Sequence, residues 1–134
     1  MRISAQVQNS KGSHVVTLRT NDNVHSIDIP PRSTGFGSSA NGGELLFLAL
    51  ATCFCNDIYR EAAKRGIVVE SVQVQVEGDF GAEGEPARNI VYRAQVAAST
   101  SQDEIRELIA HTDRMAEIQN TLRTGVHVTL QVSD

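Results

Sequence analysis

Apolar and polar residues alternate along six segments of the chain, with the period of two that is typical of half-buried β-strands. Three of these segments precede residue 30 and are separated by turn residues, and the next two flank an acidic, glycine-rich loop. The pattern therefore predicts three short strands, a long-looped hairpin and a closing strand. The predicted strands cover residues 3–7, 14–18, 24–29, 68–77, 89–98 and 126–132.

A long helix is predicted over residues 42–65, directly after a Gly/Ser-rich loop at 30–43. Asn41 followed three positions later by Glu44 resembles a capping box, in which each side chain bonds the other residue's backbone N–H. Gly66 follows two basic residues and is typical of a helix end. The start and the end of this helix are thus both encoded locally.

The two halves of this helix differ in polarity. Residues 45–55 are apolar all round apart from Thr52, which predicts burial on every side. The second half carries a polar face that we expect to emerge toward water, formed by Asp57, Arg60, Glu61 and Lys64. So small a chain has few other residues that could cover all sides of the apolar first half of this helix. A second copy of the chain could cover the remaining side, so the pattern favours a homodimer.

A second helical region starts at Ser101, which forms a capping box with Glu104. Its apolar face shifts phase near Met115, so we predict two short helices or one broken helix, ending before Gly125. The element order becomes βββ-α-ββ-αα-β. With no internal repeat and no linker, this order predicts a single α+β domain over residues 1–134.

Composition narrows the function classes. Hydrophobic residues make up 40% and charged residues 21% of 134 residues, and the net charge is −4, so we expect a globular protein without a nucleic-acid partner.

The longest apolar run has 11 residues, short of the ~20 that span a bilayer, and the N-terminus is polar. Two cysteines without an export signal predict a reducing, cytoplasmic location. The low aromatic content (4%) argues against a site where a nucleotide or flavin stacks on aromatic rings, and we expect no cofactor.

Both cysteines, Cys53 and Cys55, lie in the long helix. Two residues along a regular helix are about 200° apart, so their side chains diverge and cannot meet disulfide geometry. A zinc site would need further ligands, and neither His111 nor His127 stands at a recognisable ligand spacing. We therefore expect no metal. Two interpretations stay open: one cysteine is a reactive thiol, or both pack as small apolar side chains.

The segments "ELLFLALATC" (44–53) and "KRGIVVESVQVQVEGDF" (64–80), with the glycine- and serine-rich loop before them, resemble the OsmC/Ohr family (osmotically inducible protein C and organic hydroperoxide resistance protein). The resemblance covers the whole chain and implies an OsmC-like fold in an intertwined homodimer with two central helices. It also implies that a cysteine on the central helix reduces organic hydroperoxides. In the family, a glutamate and an arginine hold that cysteine as a thiolate, a second cysteine resolves the product, and dithiols recycle the enzyme.

Carried over residue by residue, the resemblance places the reactive cysteine at Cys53. The resolving segment resembles "AEIQNTL" (116–122), which puts Ala116 where the second cysteine would be. The acidic partner of the peroxidase branches falls on Gly43, and Glu44 lies one residue later, at an acidic position found more widely in the family. Glu44 also has the capping role, and nine residues along a helix turn it ~180° from Cys53.

The arginine has two candidates in the N-terminal region, Arg19 and Arg32. The resulting hypothesis is a hydroperoxide-reducing stress-response protein in which Cys53 reacts and an external thiol reductant replaces the missing resolving cysteine. The alternative is a non-catalytic protein of the same fold that binds a small apolar ligand at the dimer interface, with structural cysteines.

Overall fold

The structure, a computed structural model, describes residues 1–132 and has the predicted mixed α+β class. All three helices and the first five strands are present at or near their predicted positions. In chain order the elements are β1 (Ile3–Ser10), β2 (Ser13–Thr20), β3 (Asn23–His25), α1 (Gly42–Lys64), β4 (Val69–Asp79), β5 (Arg88–Ala98), α2 (Gln102–Met115) and α3 (Glu117–Thr124).

The chain divides into two compact units, Met1–Leu45 and Leu46–Asp134. The prediction of a single domain stays a prediction. In the first unit, β1, β2 and β3 form an antiparallel sheet in sequence order. The loop after β3 is pinned by Asn9, whose side chain donates to the carbonyl of Gly37 (3.1 Å) and accepts from its N–H (3.0 Å).

The first turn of α1 shows the predicted capping box. The N–H of Glu44 donates to Asn41 Oδ1 at 2.8 Å, and the N–H of Asn41 donates to Glu44 Oε1 at 3.0 Å. The two bonds satisfy backbone donors that the helix start leaves unpaired. The other end of the helix is followed by Gly66, whose φ of 68° is a left-handed conformation that glycine adopts without strain.

In the second unit, β4 and β5 form an antiparallel hairpin, with Val74 opposite Ala94 and Val76 opposite Tyr92. Along α1, apolar residues four apart line one face and are fully buried. This face forms a core with residues of α2 and of the α2–α3 junction, and β4 and β5 pack against it. The buried core residues are Phe54, Ile58, Ala62, Leu108 and Ala116.

The second helical region is two helices, and the break falls at Ala116. This residue has an extended backbone (φ −73°, ψ 110°) and no exposed surface. The predicted cap is present, because the hydroxyl of Ser101 accepts from the N–H of Glu104 at 3.2 Å. Gly125 ends α3 in the left-handed conformation, with φ of 65°. The break therefore turns the start of α3 toward the core.

The two halves of α1 differ from their predicted environments. The prediction that its second-half polar face emerges toward water is wrong for two residues, since Asp57 is 5% and Glu61 is 2% exposed. Side chains from α2 and α3 cover them. The apolar first half is not buried on every side within one chain, because Leu48 is 56% exposed.

The predicted closing strand is absent, because residues 126–132 have no regular secondary structure, and the third predicted strand ends at His25 rather than at residue 29. The alternating side chains of Val128 and Leu130 are 91% and 87% exposed. A β-strand needs a neighbour to satisfy its backbone groups, and none of the strands described for residues 1–132 pairs with this segment.

Over the same residues, no helix is long and apolar enough to cross a membrane.

Candidate functional site

Cys53 lies half-buried on α1, one turn before Asp57, and α3 starts beside it. Its S–H donates to Asp57 Oδ2 at 3.4 Å, and its sulfur lies 3.8 Å from Glu117 Oε2. The backbone N–H of Ile118, in the first turn of α3, lies on the same side and favours the thiolate form of the sulfur. The thiol therefore faces two carboxylates and one backbone donor.

Arg60, one turn beyond Asp57, joins the two carboxylates. Its Nη1 lies 3.1 Å from Asp57 Oδ1 and 2.9 Å from Glu117 Oε1. Its Nε donates to Glu61 Oε2 at 2.8 Å. Because the guanidinium has five N–H donors in a rigid plane, it holds three carboxylates at once and links α1 to the start of α3.

Glu61 anchors this arrangement from behind. Besides Arg60, its carboxylate bonds Lys64 Nζ at 3.1 Å and His111 Nε2 at 2.8 Å. These donors lower the pKa of Glu61 to about 2, and the bond from Arg60 is the largest cause. The carboxylate is thus ionised at neutral pH and only accepts, so His111 donates from Nε2–H. The carboxylate of Glu61 ties α1 to α2.

Burial raises the pKa of the Cys53 thiol above its ordinary value. The N–H of Ile118 acts in the opposite direction, because it stabilises the thiolate. The negative charges of Asp57 and Glu117 raise the pKa further. Cys53 is therefore a protonated thiol at neutral pH, with a proton acceptor in place, rather than a standing thiolate.

The neighbouring carboxylates of Asp57 and Glu117 shift in opposite directions. Burial raises the pKa of Asp57, and so does Glu117 beside it, while Arg60 lowers it. The pKa of Glu117 is lowered, first by its backbone N–H and then by bonds to Asp57 and Arg60. A carboxylate with a raised pKa is the stronger base. Of the two groups in contact with the thiol, Asp57 is the better proton acceptor.

The segment that the resemblance assigned to the resolving cysteine lies next to Cys53. Glu117 contacts the sulfur at 3.8 Å, and the preceding residue is the buried Ala116. The residue at the position that the resemblance assigned to the second cysteine therefore carries a methyl group and no thiol.

Cys53, Asp57 and Glu117 bring one sulfur and two carboxylates within 4.8 Å of one another, a set that could hold a metal ion. Arg60 already gives positive charge to both carboxylates. One guanidinium thus offsets part of the negative charge of this set, and the expectation of no metal stays a prediction.

Cys55 has different neighbours. It lines a shallow depression together with Thr52, Asn56 and Val74 of β4. Both cysteines are free thiols. The environments therefore distinguish them: Cys53 has hydrogen-bonding and charged partners, whereas Cys55 packs beside a strand.

The other predicted site residues belong to the first unit. Glu44 uses its carboxylate in the capping box with Asn41. Arg32 donates from Nε to the carbonyl of Ser38 at 3.3 Å, and Arg19 lies on β2 opposite Ser4. Their roles toward Cys53 stay predictions.

Three residues around the thiol were not predicted: Asp57, Arg60 and Glu117. The first two were interpreted as a solvated face. Asp57 and Arg60 lie four and seven residues after Cys53, a spacing that places their side chains on the same side of the helix as the thiol. This spacing is visible in the sequence. Glu117 follows Ala116 directly, so the resemblance also pointed to its neighbourhood.

Comparison with known proteins identifies the fold. A family model described as OsmC-like protein matches residues 35–131, well over half of the chain. No curated protein sequence matches the chain.

Several solved structures are similar. An OsmC-like protein from Mycoplasma pneumoniae has 19% identity and a TM-score of 0.61, covering 91% of this chain and 89% of that one. An organic hydroperoxide resistance protein OsmC from Legionella pneumophila has 20% identity and a TM-score of 0.60, covering 92% and 90%. One from Elizabethkingia anophelis, an organic hydroperoxide resistance protein, has 15% identity and a TM-score of 0.64, covering 93% and 90%. At these identities the likeness establishes the fold.

Proposed function

The chain belongs to the OsmC-like protein family, and from this premise we propose that it reduces organic hydroperoxides through the thiol of Cys53. The observation that carries the proposal is the hydrogen bond from the Cys53 thiol to the Asp57 carboxylate. The similar proteins from Legionella pneumophila and Elizabethkingia anophelis are named for organic hydroperoxide resistance, which supports this class of substrate.

In the proposed reaction, Asp57 takes the proton of Cys53 as the sulfur attacks the terminal oxygen of the hydroperoxide. The O–O bond breaks, Cys53 becomes a sulfenic acid, and the leaving alkoxide takes the proton from Asp57 to become an alcohol. Sulfur is oxidised by two electrons and the peroxide is reduced by two. The thiolate is the effective nucleophile, so a base in contact with the thiol offsets its raised pKa.

Arg60 positions Asp57 in this scheme and counters the charge of Glu117. Glu61 holds Arg60 through the bond to its Nε, which leaves Nη1 directed at the two carboxylates beside the thiol. Glu44, Arg19 and Arg32 remain candidates for contributions from the first unit. In our proposal the base beside the sulfur comes from α1 itself.

An external thiol completes the cycle. It attacks the sulfenic acid to give a mixed disulfide and water, and a second thiol releases Cys53 with formation of the reductant's disulfide. Cys55 diverges from Cys53 on the helix, and Ala116 carries no sulfur. A reducing, cytoplasmic location would supply such a thiol.

We also propose a homodimer. The apolar Leu48 of α1 and the alternating segment 126–132 are exposed in the single chain, although both patterns are typical of buried elements. A second copy would cover the first half of α1 and offer a partner for the C-terminal segment. Sedimentation equilibrium would test this, with a monomer at micromolar concentration as the contradicting result.

The second candidate function is non-catalytic binding of a small apolar ligand, with both cysteines structural. The raised pKa of Cys53 favours it, because a protonated thiol next to two carboxylates is a weak nucleophile.

The decisive experiment treats the purified protein with an organic hydroperoxide in the presence of a sulfenic-acid trapping reagent. We expect an adduct on Cys53, turnover with an added thiol, and loss of both in Cys53→Ser. Cys55→Ser is the matched control, since it removes the other thiol of the same helix, and should keep both. No adduct on Cys53 together with no turnover would leave only the non-catalytic function.

A further inference from the structure

A second feature lies outside the Cys53 site: a cavity of about 210 Å³ between α1, β5 and α3. Apolar side chains form much of its lining, and three polar side chains border it. The lining residues are Leu50, Ile90, Tyr92, Gln119, Leu122 and Arg123. At its rim, Ile90 and Leu122 are 36% and 42% exposed, so the cavity is reachable from solvent.

Gln119 is the unusual member of this lining, because it is only 3% exposed. Its Nε2 donates to the backbone carbonyl of Leu50 at 3.0 Å, which sets the orientation of the amide. Among the buried side chains of residues 1–132, Gln119 Oε1 is the polar atom left without a hydrogen-bond partner. Burying such an acceptor unpaired is costly, and native structures nearly always give it a donor.

The other polar side chains of the cavity are already engaged. The hydroxyl of Tyr92 donates to Asp113 Oδ1, and Arg123 Nη2 donates to the same carboxylate oxygen at 2.6 Å. Arg123 Nη1 also donates to the backbone carbonyl of Asp113 at 3.2 Å. The arginine charge is thus paired with the carboxylate of Asp113. The polar atom of the lining that remains without a partner is therefore a hydrogen-bond acceptor, Gln119 Oε1.

From this geometry we infer that the cavity binds a small, neutral, mainly apolar molecule that donates one hydrogen bond, from a hydroxyl or an N–H, to Gln119 Oε1. An apolar cavity of about 150 Å³ accepts benzene. The present cavity has room for an aromatic ring with one substituent. An anionic ligand does not fit, because it would set its own acceptors against Gln119 Oε1 while Arg123 is held by Asp113.

Phenol and toluene test this inference, because they share a ring and differ in a hydroxyl against a methyl group. Each is titrated into the full chain labelled with ¹⁵N and ¹³C, and the Gln119 side-chain amide, the Leu122 methyls and the Tyr92 ring are followed by NMR. We expect saturable shifts of these signals and binding of phenol about three- to tenfold tighter than toluene, the range of one net hydrogen bond.

Two variants assign that preference to the acceptor. Gln119→Leu and Gln119→Met remove the carbonyl at similar volume, and either folded variant should bind the two probes equally. Thr121→Ala, an exposed change on the same helix, should keep the preference. Cys53→Ser should also keep it, so a failed peroxidase test would leave this result standing.

Three results would overturn the inference. No binding of either probe up to the solubility of toluene would mean that water alone serves the Gln119 carbonyl. Equal affinity of phenol and toluene for the unmodified protein would mean an apolar cleft without a donor requirement. A preference for phenol that survives in a folded Gln119 variant would place the hydroxyl elsewhere.

Discussion

Asp57 and Glu61 sit on successive turns of α1, both are nearly buried, and both bond Arg60, yet their surroundings have opposite effects on their carboxyl groups. Glu61 is met by two cationic side chains and the imidazole of His111, and its pKa falls to about 2. Asp57 is buried against the Cys53 thiol and a second carboxylate, and its pKa rises.

The difference shows that the neighbouring side chains decide whether a buried carboxyl group stays ionised or binds a proton more readily. A carboxylate saturated with donors stays ionised over the whole physiological range, so it anchors structure and cannot exchange protons there. A buried carboxylate beside a like charge has a higher affinity for a proton. On this helix, Glu61 is the anchor and Asp57 is the base available to a thiol. Three predictions test this comparison.

The largest effect is expected from removing the anchor. Glu61→Ala leaves Arg60, His111 and Lys64 without their shared acceptor and unties α1 from α2, so we expect the Tm to fall by about 5–10 °C. Lys64→Ala, which removes only an exposed partner, should change it by less than about 2 °C. Thermal unfolding followed by circular dichroism measures both. Equal changes in the two variants would show that Glu61 is no anchor.

The second prediction concerns the base. In Asp57→Asn, a negative charge beside Cys53 disappears, so the thiol pKa falls and alkylation by iodoacetamide at pH 7.5 should become about three- to tenfold faster. Reaction with an organic hydroperoxide should become at least about tenfold slower, because the leaving alkoxide needs the proton that Asp57 would deliver. Both rates are measured by quenched mass spectrometry.

The opposite directions are the critical result of that experiment, because alkylation expels a halide that needs no proton. Asp103→Asn removes an equal charge from the exposed start of α2 and should leave both rates unchanged. If Asp57→Asn accelerates both reactions, Asp57 is only a charge that suppresses the thiolate, and the proposed proton transfer is wrong.

The smallest effect is a pH dependence of opposite sign at the two carboxylates. The contribution of Glu61 to stability is complete above its ordinary pKa of 4.5 and is lost as the pH falls toward about 2. Because the pKa of Asp57 is raised, its ionisation costs stability above that pKa and costs nothing below 3.8. Glu61→Gln should therefore be less stable than the unmodified protein at pH 6, and Asp57→Asn slightly more stable.

The Asp57→Asn difference should shrink to within about 1 °C in Tm below pH 3.8, whereas the Glu61→Gln difference should shrink steadily below pH 4.5 and be largely lost by pH 2, as protonation makes each carboxyl resemble its amide replacement. Unfolding measured from pH 6 to pH 2 checks this. A Glu61→Gln difference that persists unchanged at pH 2 would show that the ionised form of Glu61 contributes nothing.

Most of the fold could be predicted from the sequence because its signals are local. The capping pairs Asn41–Glu44 and Ser101–Glu104 and the terminal Gly66 and Gly125 bound the helices through backbone bonds within a few residues. The closing strand at 126–132 was different. The alternation of apolar and polar residues indicates which side chains would share a face. A strand also needs a neighbouring strand for its backbone hydrogen bonds, and none in the described part of this chain pairs with the segment.

The site divides in the same way. Its position on α1 and the neighbouring segment at Ala116 were expected from the resemblance, and the structure brings Cys53 and that segment together. The roles of Asp57 and Arg60 were not expected, because a charged stripe on a helix usually faces water. Only the approach of Glu117 turns that stripe into a charged, half-buried cluster around a thiol.

Periodicity, caps and short motifs act over a few residues, so they were enough to predict the helices, the two sheets, the family and the candidate thiol at Cys53. The surroundings of the thiol, the different roles of the two carboxylates and the buried free acceptor of Gln119 followed only from the folded arrangement of the chain. Those properties depend on burial and on polar groups brought together from residues up to 69 positions apart, and electrostatic energy follows distance and dielectric surroundings rather than order along the chain.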